Sequence, residues 1–379
     1  MGYSLKDKLV VGISSRALFD LDEADDVFRT EGLAAYRQFQ REHETEPLRP
    51  GTAMPLIRGL LAIDGKDTPE DDRLVEVILL SRNDADSAMR LFHSIEAYGL
   101  PINRGALTSG RDPWPYLRPL ECSLFLSANP DDVFNARAQG FPAALVLSRP
   151  EEQADADVSE VRVAFDGDAV LFDDHSELLF QREGLEAFQE HESMRAAEPL
   201  SPGPFAPFLL ALKRIQDRFP EGQSPIRTAL VTARGAPTHT RVVNTLRAWG
   251  VHMDETFFLG GIDKAPVLQA LRPHIYFDDQ LGHLREAQRR VPSAHVVPER
   301  QQLALFAEET LPALVAPEPL LVLPPAQRRD RPAPAPANVP AVPAAWPPYS
   351  EPLPEPELEF ELDLFEQPAL ELAHLRELD

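Results

Sequence analysis

The sequence predicts an α/β protein made of two tandem homologous units with parallel sheets, followed by a Pro-rich, acidic tail. Three observations carry this reading. Short apolar and β-branched runs alternate with amphipathic segments. Stretches of the body recur at a near-constant offset. Proline is concentrated near the C-terminal end.

The elements follow in chain order. Leu9–Ile13 and Val75–Leu80 in the first unit have the near-continuous apolar character of parallel strands buried on both faces. Val161–Phe165, Ile226–Val231 and His274–Phe277 have it in the second. Thr240–Trp249 reads as a helix with Val243, Leu246 and Trp249 on one face and Gly250 as its stop. Alternating strand and helix predicts a doubly wound sheet with sites at the carboxyl ends of its strands.

Two units follow from the repeat. Glu31-Gly-Leu-Ala-Ala-Tyr36 parallels Glu183-Gly-Leu-Glu-Ala-Phe188, and Glu46-Pro-Leu-Arg-Pro-Gly51 parallels Glu198-Pro-Leu-Ser-Pro-Gly203, both at an offset of 152. Val77–Ser81 parallels Thr228–Thr232, and Ala97–Leu100 parallels Ala248–Val251, at 151. The first unit is expected over 9–150 and the second over 160–300, joined near Ser148–Ser159. A helical insert over about 174–225 carries Leu178, Leu179, Leu185, Phe188, Phe205, Phe208, Leu209 and Leu212. The segment 316–379 holds 15 of the 38 prolines, with 12 acidic and 4 basic residues. That composition predicts a disordered tail, or a partner-docking segment through its alternating acidic and apolar residues.

Charge narrows the functional classes. With 61 acidic and 37 basic residues in 379, the formal net charge is −24, which argues against electrostatic binding of nucleic acid. Cys122 is the single cysteine, so an intrachain disulfide and a Cys-rich zinc site are excluded. No run of 18 apolar residues suggests a membrane span, and the first residues do not read as a signal peptide. The expected setting is cytoplasmic.

Chemistry gathers at the strand ends of the second unit. The strand ending at Phe165 runs into Asp166-Gly-Asp168, the next ends in Thr232, Lys264 follows Gly260-Gly-Ile-Asp263, and the strand ending at Phe277 delivers Asp278-Asp279. Paired carboxylates can divide nucleophilic and proton-transfer work. Four carboxylates at one sheet edge repel one another unless a cation sits among them, and hard oxygen ligands favour Mg²⁺.

This ordered set resembles the haloacid dehalogenase-like phosphohydrolases. Phe165-Asp-Gly-Asp-Ala-Val-Leu-Phe172, Leu230-Val-Thr-Ala-Arg234 and Arg272-Pro-His-Ile-Tyr-Phe-Asp-Asp-Gln280 resemble the cytosolic 5′-nucleotidase type I family, as does Ser14-Ser-Arg-Ala-Leu-Phe-Asp20. The resemblance covers about Leu9 to Pro298. It implies that Asp166 attacks phosphorus and forms an aspartyl-phosphate, and that Asp168 protonates the leaving nucleoside oxygen and then activates water. It implies that Thr232 and Lys264 hold the phosphoryl oxygens, and that Asp166, the Asp168 carbonyl, Asp278 and Asp279 serve Mg²⁺. The substrate it implies is a nucleoside 5′-monophosphate, with AMP favoured. A phosphatase of another small phosphorylated metabolite is the alternative, and a non-catalytic nucleotide-binding or interaction protein is a further one.

The first unit lacks this set. The repeat aligns Thr232 with Ser81, Lys264 with Pro113, Asp278 with Ser127 and Asp279 with Ala128, and the Asp-Gly-Asp position falls on Ile13–Arg16. It is expected to keep the fold without catalysis, as a packing partner, a cap or a nucleotide-effector site. The insert is read as a substrate cap or as ordinary scaffold, and a homo-oligomer stays open. Arg234 is a candidate for a phosphate, a sugar hydroxyl or a surface ion pair. Asp173 and Asp174 are expected to cap the following helix. His175 is read as solvated, and His274 and Cys122 as core. Gly260-Gly261 is read as a loop that aims Lys264.

Overall fold

The computed structural model describes residues 2–148 and 160–297. The expected tail and most of the expected joint between units lie outside them. The first half runs β1 (Leu9–Ile13), α1 (Ser15–Leu18), α2 (Asp22–Glu31), α3 (Leu33–Glu42), α4 (Met54–Ala62), β2 (Val75–Ser81), α5 (Met89–Ala97), β3 (Arg104–Leu107), β4 (Leu124–Ser127), α6 (Pro130–Ala138) and β5 (Ala143–Val146). The second runs β6 (Val161–Phe165), α7 (His175–Met194), α8 (Ala206–Gln216), β7 (Ile226–Thr232), α9 (His239–Ala248), β8 (Glu255–Phe258), α10 (Lys264–Leu271), β9 (Ile275–Asp278), α11 (Leu281–Ala287) and β10 (Ser293–His295).

All ten strands lie in one sheet, in the order β3-β2-β1-β4-β5-β10-β9-β6-β7-β8. Each half contributes five strands in matching order. Pairing is parallel within each half, and the halves meet at the antiparallel pair β5–β10, where Ala294 sits opposite Val146. The expectation of a parallel sheet in each unit is thus corrected: the ten strands form a single mixed sheet, because β5 and β10 pair antiparallel.

Two apolar layers cover it, because alternate residues of a strand face opposite sides. Val11, Ile13, Val163 and Phe165 face one layer with residues of α4, α5, α8 and α9. Val10, Ala164 and Tyr276 face the other with residues of α6, α10 and α11. Both layers run through the two halves: α4 packs on β6, and α8 packs on β1. The insert is helical, as expected, and α8 buries Phe208, Leu209, Leu212 and Ile215.

The structure differs from expectation in three respects. The last predicted strand starts at Ile275, because the His274 ring accepts the Arg162 amide at 3.1 Å in place of a ladder carbonyl. α9 buries Val242, Thr245 and Leu246 rather than the Val243 face. β3, β4, β5, β8 and β10 were not anticipated, since each has only three or four residues.

Candidate active site

The site is assembled by strand ends. Asp166 follows β6 directly, and its amide donates to the Phe277 carbonyl of neighbouring β9 at 2.8 Å. The same register carries Asp278 to the end of β9 and Thr232 to the end of β7. Phe165 and Phe277 stack at 5.6 Å, and Phe205 lies 4.8 Å from Phe277, which places an apolar floor below the carboxylates. Past Asp166 the chain makes a wide turn in which the Phe172 amide reaches back to the Gly167 carbonyl at 2.9 Å. Phe172 then pairs with Pro202. Gly203 is required beside it, because a Cβ there would lie 2.1 Å from the Phe172 carbonyl oxygen.

Lys264 is the first residue of α10, whose Asp263 caps by accepting the Ala265 amide. Gly260 and Gly261, at φ +56° and +91°, make the turn that precedes it, as expected. The Lys264 ammonium bridges Asp166 Oδ1 at 2.8 Å and Asp278 Oδ2 at 2.9 Å. Asp278 also accepts from the Tyr276 hydroxyl and, at 2.7 Å, from the Gln280 amide, and His283 Nδ1 lies 3.2 Å from it. Thr232 Oγ1 accepts the Arg234 amide at 3.2 Å, and Gly167 passes so close that a Cβ would sit 3.2 Å from that oxygen.

The carboxylates do not share their environment equally. Burial pushes the Asp166 carboxyl up to about 7, against the pull of Lys264 and with a further push from Asp278. Burial also opposes ionisation of Asp278, but Lys264 and the hydrogen bonds from His283 and Tyr276 outweigh it and hold that group well below the usual range. A proton entering this coupled pair therefore goes to Asp166. Lys264 is held fully charged: burial works against it, and the two carboxylates prevail. Asp279 is raised well above the usual range, first by burial and then by Asp278 and Asp166.

Residues 1–302 match the family described as 5′-nucleotidase. The chain is 37% identical over 292 residues to human cytosolic 5′-nucleotidase 1B, a match that covers 75% of this chain and 48% of that protein. The chain belongs to the 5′-nucleotidase family. Its resemblance to the cytosolic type I members, drawn from four motifs, is borne out by both matches. The chain spans about half the length of that relative. No solved structure matches it. Among the described residues, no helix is long and apolar enough to cross a membrane.

Of the residues that the sequence singled out, the structure brings Asp166, Lys264 and Asp278 into contact, with Thr232 against Gly167. Asp168 turns its carboxylate to Arg234, whose Nε and Nη2 donate to Oδ2 and Oδ1 at 2.7 and 2.5 Å. Arg234 is itself buried and not in a surface ion pair. Glu192 accepts from it on the far side. Sequence reasoning missed Glu192, Arg241, Tyr276 and His283. Glu192 and Arg241 are ordinary charged residues on helices, and only burial sets them apart. Tyr276 lies two residues before Asp278 on one strand face, a signal that alternation could have supplied. The expected roles of the remaining residues fared unevenly. Asp173 accepts the His175 amide at 3.4 Å, whereas Asp174, at the N-cap of α7, makes no side-chain cap bond. His274 and Cys122 are buried.

The same residues suit a hard cation. Asp166, Asp278 and His283 each place one donor atom within 4.8 Å of the others. Asp279 Oδ1 is buried and finds no hydrogen-bond partner. Asp279 lies outside that group of three but feels the charge of Asp278 and Asp166, and its orphaned buried oxygen is one that a metal ion could satisfy.

Proposed function

We propose that this 5′-nucleotidase hydrolyses nucleoside 5′-monophosphates, AMP favoured, to nucleoside and phosphate through an aspartyl-phosphate at Asp166, in a cytoplasmic setting. The observation that carries this is Asp166 itself: a buried carboxylate at a strand end, aimed by the Phe277 carbonyl and gripped by Lys264 at 2.8 Å. An Asp166 oxygen forms a bond to phosphorus as the bond to the sugar 5′-oxygen breaks. Asp168, two residues on and at the mouth of the same turn, gives its proton to that oxygen. A water then attacks phosphorus, Asp168 takes the water's proton, and the P–O bond to Asp166 breaks to free phosphate. Lys264 and Thr232 hold phosphoryl oxygens, in keeping with a reaction governed by positioning and charge.

Mg²⁺ fits the oxygen-rich donor set of Asp166, Asp278 and Asp279 with the Asp168 carbonyl, and when bound it supplies charge neutralisation at the phosphoryl oxygens. The first half is read as a homologous unit that has kept the sheet and lost this set: Ser14, Ser81 and Ser127 stand at its strand ends. Its service as an effector site, a docking role for residues 316–379 and a homo-oligomeric state remain proposals for separate tests.

The deciding experiment measures phosphate release from a panel of nucleoside monophosphates and sugar phosphates, with and without Mg²⁺, beside Asp166→Asn. The expected result is Mg²⁺-dependent release from AMP that the substitution abolishes. Release only from sugar phosphates keeps the chemistry and overturns the substrate. Release from AMP by the variant at the wild-type rate overturns the nucleophile.

A further inference from the structure

Behind Asp168 lies a chain of buried charges that the reaction outlined above does not use. Arg234 presents two edges of its guanidinium. One grips both oxygens of Asp168, and the other donates to Glu192. The Glu192 side chain is fully buried in α7, and it also accepts from Arg241 Nη1 at 2.8 Å and Ser176 Oγ at 3.0 Å. Arg241 is fixed in turn through Nε to the Glu198 carbonyl at 2.8 Å, and the Phe188 ring lies 5.2 Å from the Arg234 guanidinium. Three elements, α7, the end of β7 and α9, thus meet on one carboxylate.

The first half provides an internal control. Arg90 donates to the Glu46 carbonyl as Arg241 does to Glu198, at 3.0 and 2.8 Å. Ser94 accepts the Leu48 amide as Thr245 accepts that of Leu200, each at 2.9 Å. These contacts are scaffold, because they persist where the catalytic acids are absent. The charges do not persist. At the positions of Asp168, Glu192 and Arg234 the first half has Arg16, Gln40 and Asn83. Arg16 there pairs with Asp25 at 2.5 Å, and Arg90 reaches Gln40 at only 3.5 Å. Packing of α3 and α5 in this arrangement needs no buried carboxylate. Among the described residues, this chain from Asp168 through Arg234 to Glu192 occurs only in the half that holds the proposed nucleophile.

We propose that Glu192, braced by Arg241, sets the guanidinium of Arg234 so that it fixes the Asp168 carboxylate for proton transfer to and from the scissile oxygen. Glu192 and Arg234 are positioning residues in this sense. An arginine fork can do this where a lysine cannot, since it constrains both carboxylate oxygens in one plane. The inference rests on the reading of Asp168 given above.

The test compares leaving groups. A nucleoside alkoxide needs a proton to depart, and p-nitrophenolate does not. Full-length Glu192→Gln, Glu192→Asp and Arg234→Lys are assayed beside Asp168→Asn for kcat and KM on AMP and for the single-turnover burst of p-nitrophenol from p-nitrophenyl phosphate. Glu192→Gln and Arg234→Lys are expected to lower kcat on AMP by about 10- to 100-fold, up to the lower end of the roughly 10²- to 10⁴-fold range of proton-transfer catalysis, since they misplace the acid without removing it. KM and the burst should change by less than about threefold, and Glu192→Asp should recover part of the loss. Equal losses on both substrates, or a change in KM alone, overturn the proposal. If Asp168→Asn itself shows no leaving-group selectivity, the reading of Asp168 falls and the proposal with it. If Asp168→Asn is selective and the other variants are not, the proposal alone falls. Arg234→Lys keeps a cation against Glu192 and carries the test should Glu192→Gln fail to fold.

Discussion

Replacing Lys264 by Met removes the one ammonium that bridges Asp166 and Asp278, at 2.8 and 2.9 Å, and keeps most of the side chain's volume. Breaking a buried pair by deleting one partner costs about 3–5 kcal/mol, because the remaining charge stays uncompensated. For a domain of this size ~1 kcal/mol moves Tm by ~2 °C, so a fall of ~6–10 °C is expected in EDTA at pH 8. The loss should depend on pH. The Asp166 carboxyl is raised from 3.8 to about 7 in the folded chain. A raised folded pKa contributes stability that is complete below the unfolded value and lost as pH rises through the folded one. In the variant Asp166 can relieve the repulsion by taking a proton, so the deficit should be smaller at pH 6 than at pH 8. Mg²⁺ should raise Tm of the variant more than that of the wild type, since it replaces the missing positive charge. Thermal unfolding at both pH values, with and without Mg²⁺, checks each part. A variant within ~1 °C of wild type at pH 8 in EDTA, or one with a larger deficit at pH 6, refutes the electrostatic account of the site.

Asp279→Asn should be more stable than wild type in EDTA, because it removes a buried carboxylate repelled by Asp278 and Asp166, yet it should gain less Tm from Mg²⁺. A gain equal to wild type would show that Asp279 takes no part in binding the ion. Gly203→Ala should cost more than ~2 kcal/mol in urea unfolding, since its Cβ would meet the Phe172 carbonyl at 2.1 Å and no flexible side chain can yield there. The His295 ring is pushed down to about 4, chiefly by burial and against its bond to the Asp279 carbonyl. Its depressed folded pKa means that stability present above pH 6.5 is lost as pH falls toward 4, by up to ~1.4 kcal/mol per pH unit. Urea unfolding of wild type and His295→Gln at pH 7 and 5 isolates this slope, which the variant should lack.

The candidate set was legible because its residues stand at fixed places. A hydrophobic strand followed at once by Asp166, Thr232 or Asp278 is a local pattern, and strand register alone brings those residues to one edge. Short strands such as β8, Glu255–Phe258, were not legible, because four half-exposed edge residues make no apolar run. Nor was the joining of the halves: β5 and β10 pair through Ala294 and Val146, and nothing in the three residues Ser293-Ala-His295 specifies an antiparallel partner 148 positions away. Glu192 is the sharpest case. On paper it is one more acid in a helix of charged residues, and its meaning comes only from Arg234 and Arg241 arriving from two other elements.

The two halves show what a site of this kind demands of its scaffold. In the first half the strand-end positions are hydroxyls that satisfy themselves locally: Ser14 accepts the Ala17 and Ala128 amides, Ser81 the Asn83 amide and Ser127 the Asn129 amide. No cation is needed to fill them. In the second half the same positions hold Asp166 and Asp278, which need Lys264, and Asp279 Oδ1 is left without a partner. Thr232 keeps the first half's pattern, accepting the Arg234 amide as Ser81 accepts that of Asn83, so the halves differ at the carboxylate positions, where Ser14 and Ser127 carry no charge. The halves share one sheet and continuous apolar layers, α4 lying on β6 and α8 on β1, so the first half can support a neighbour whose own centre is electrostatically costly. Across this common core one set of strand ends is locally satisfied, while the other holds buried carboxylates that depend on Lys264.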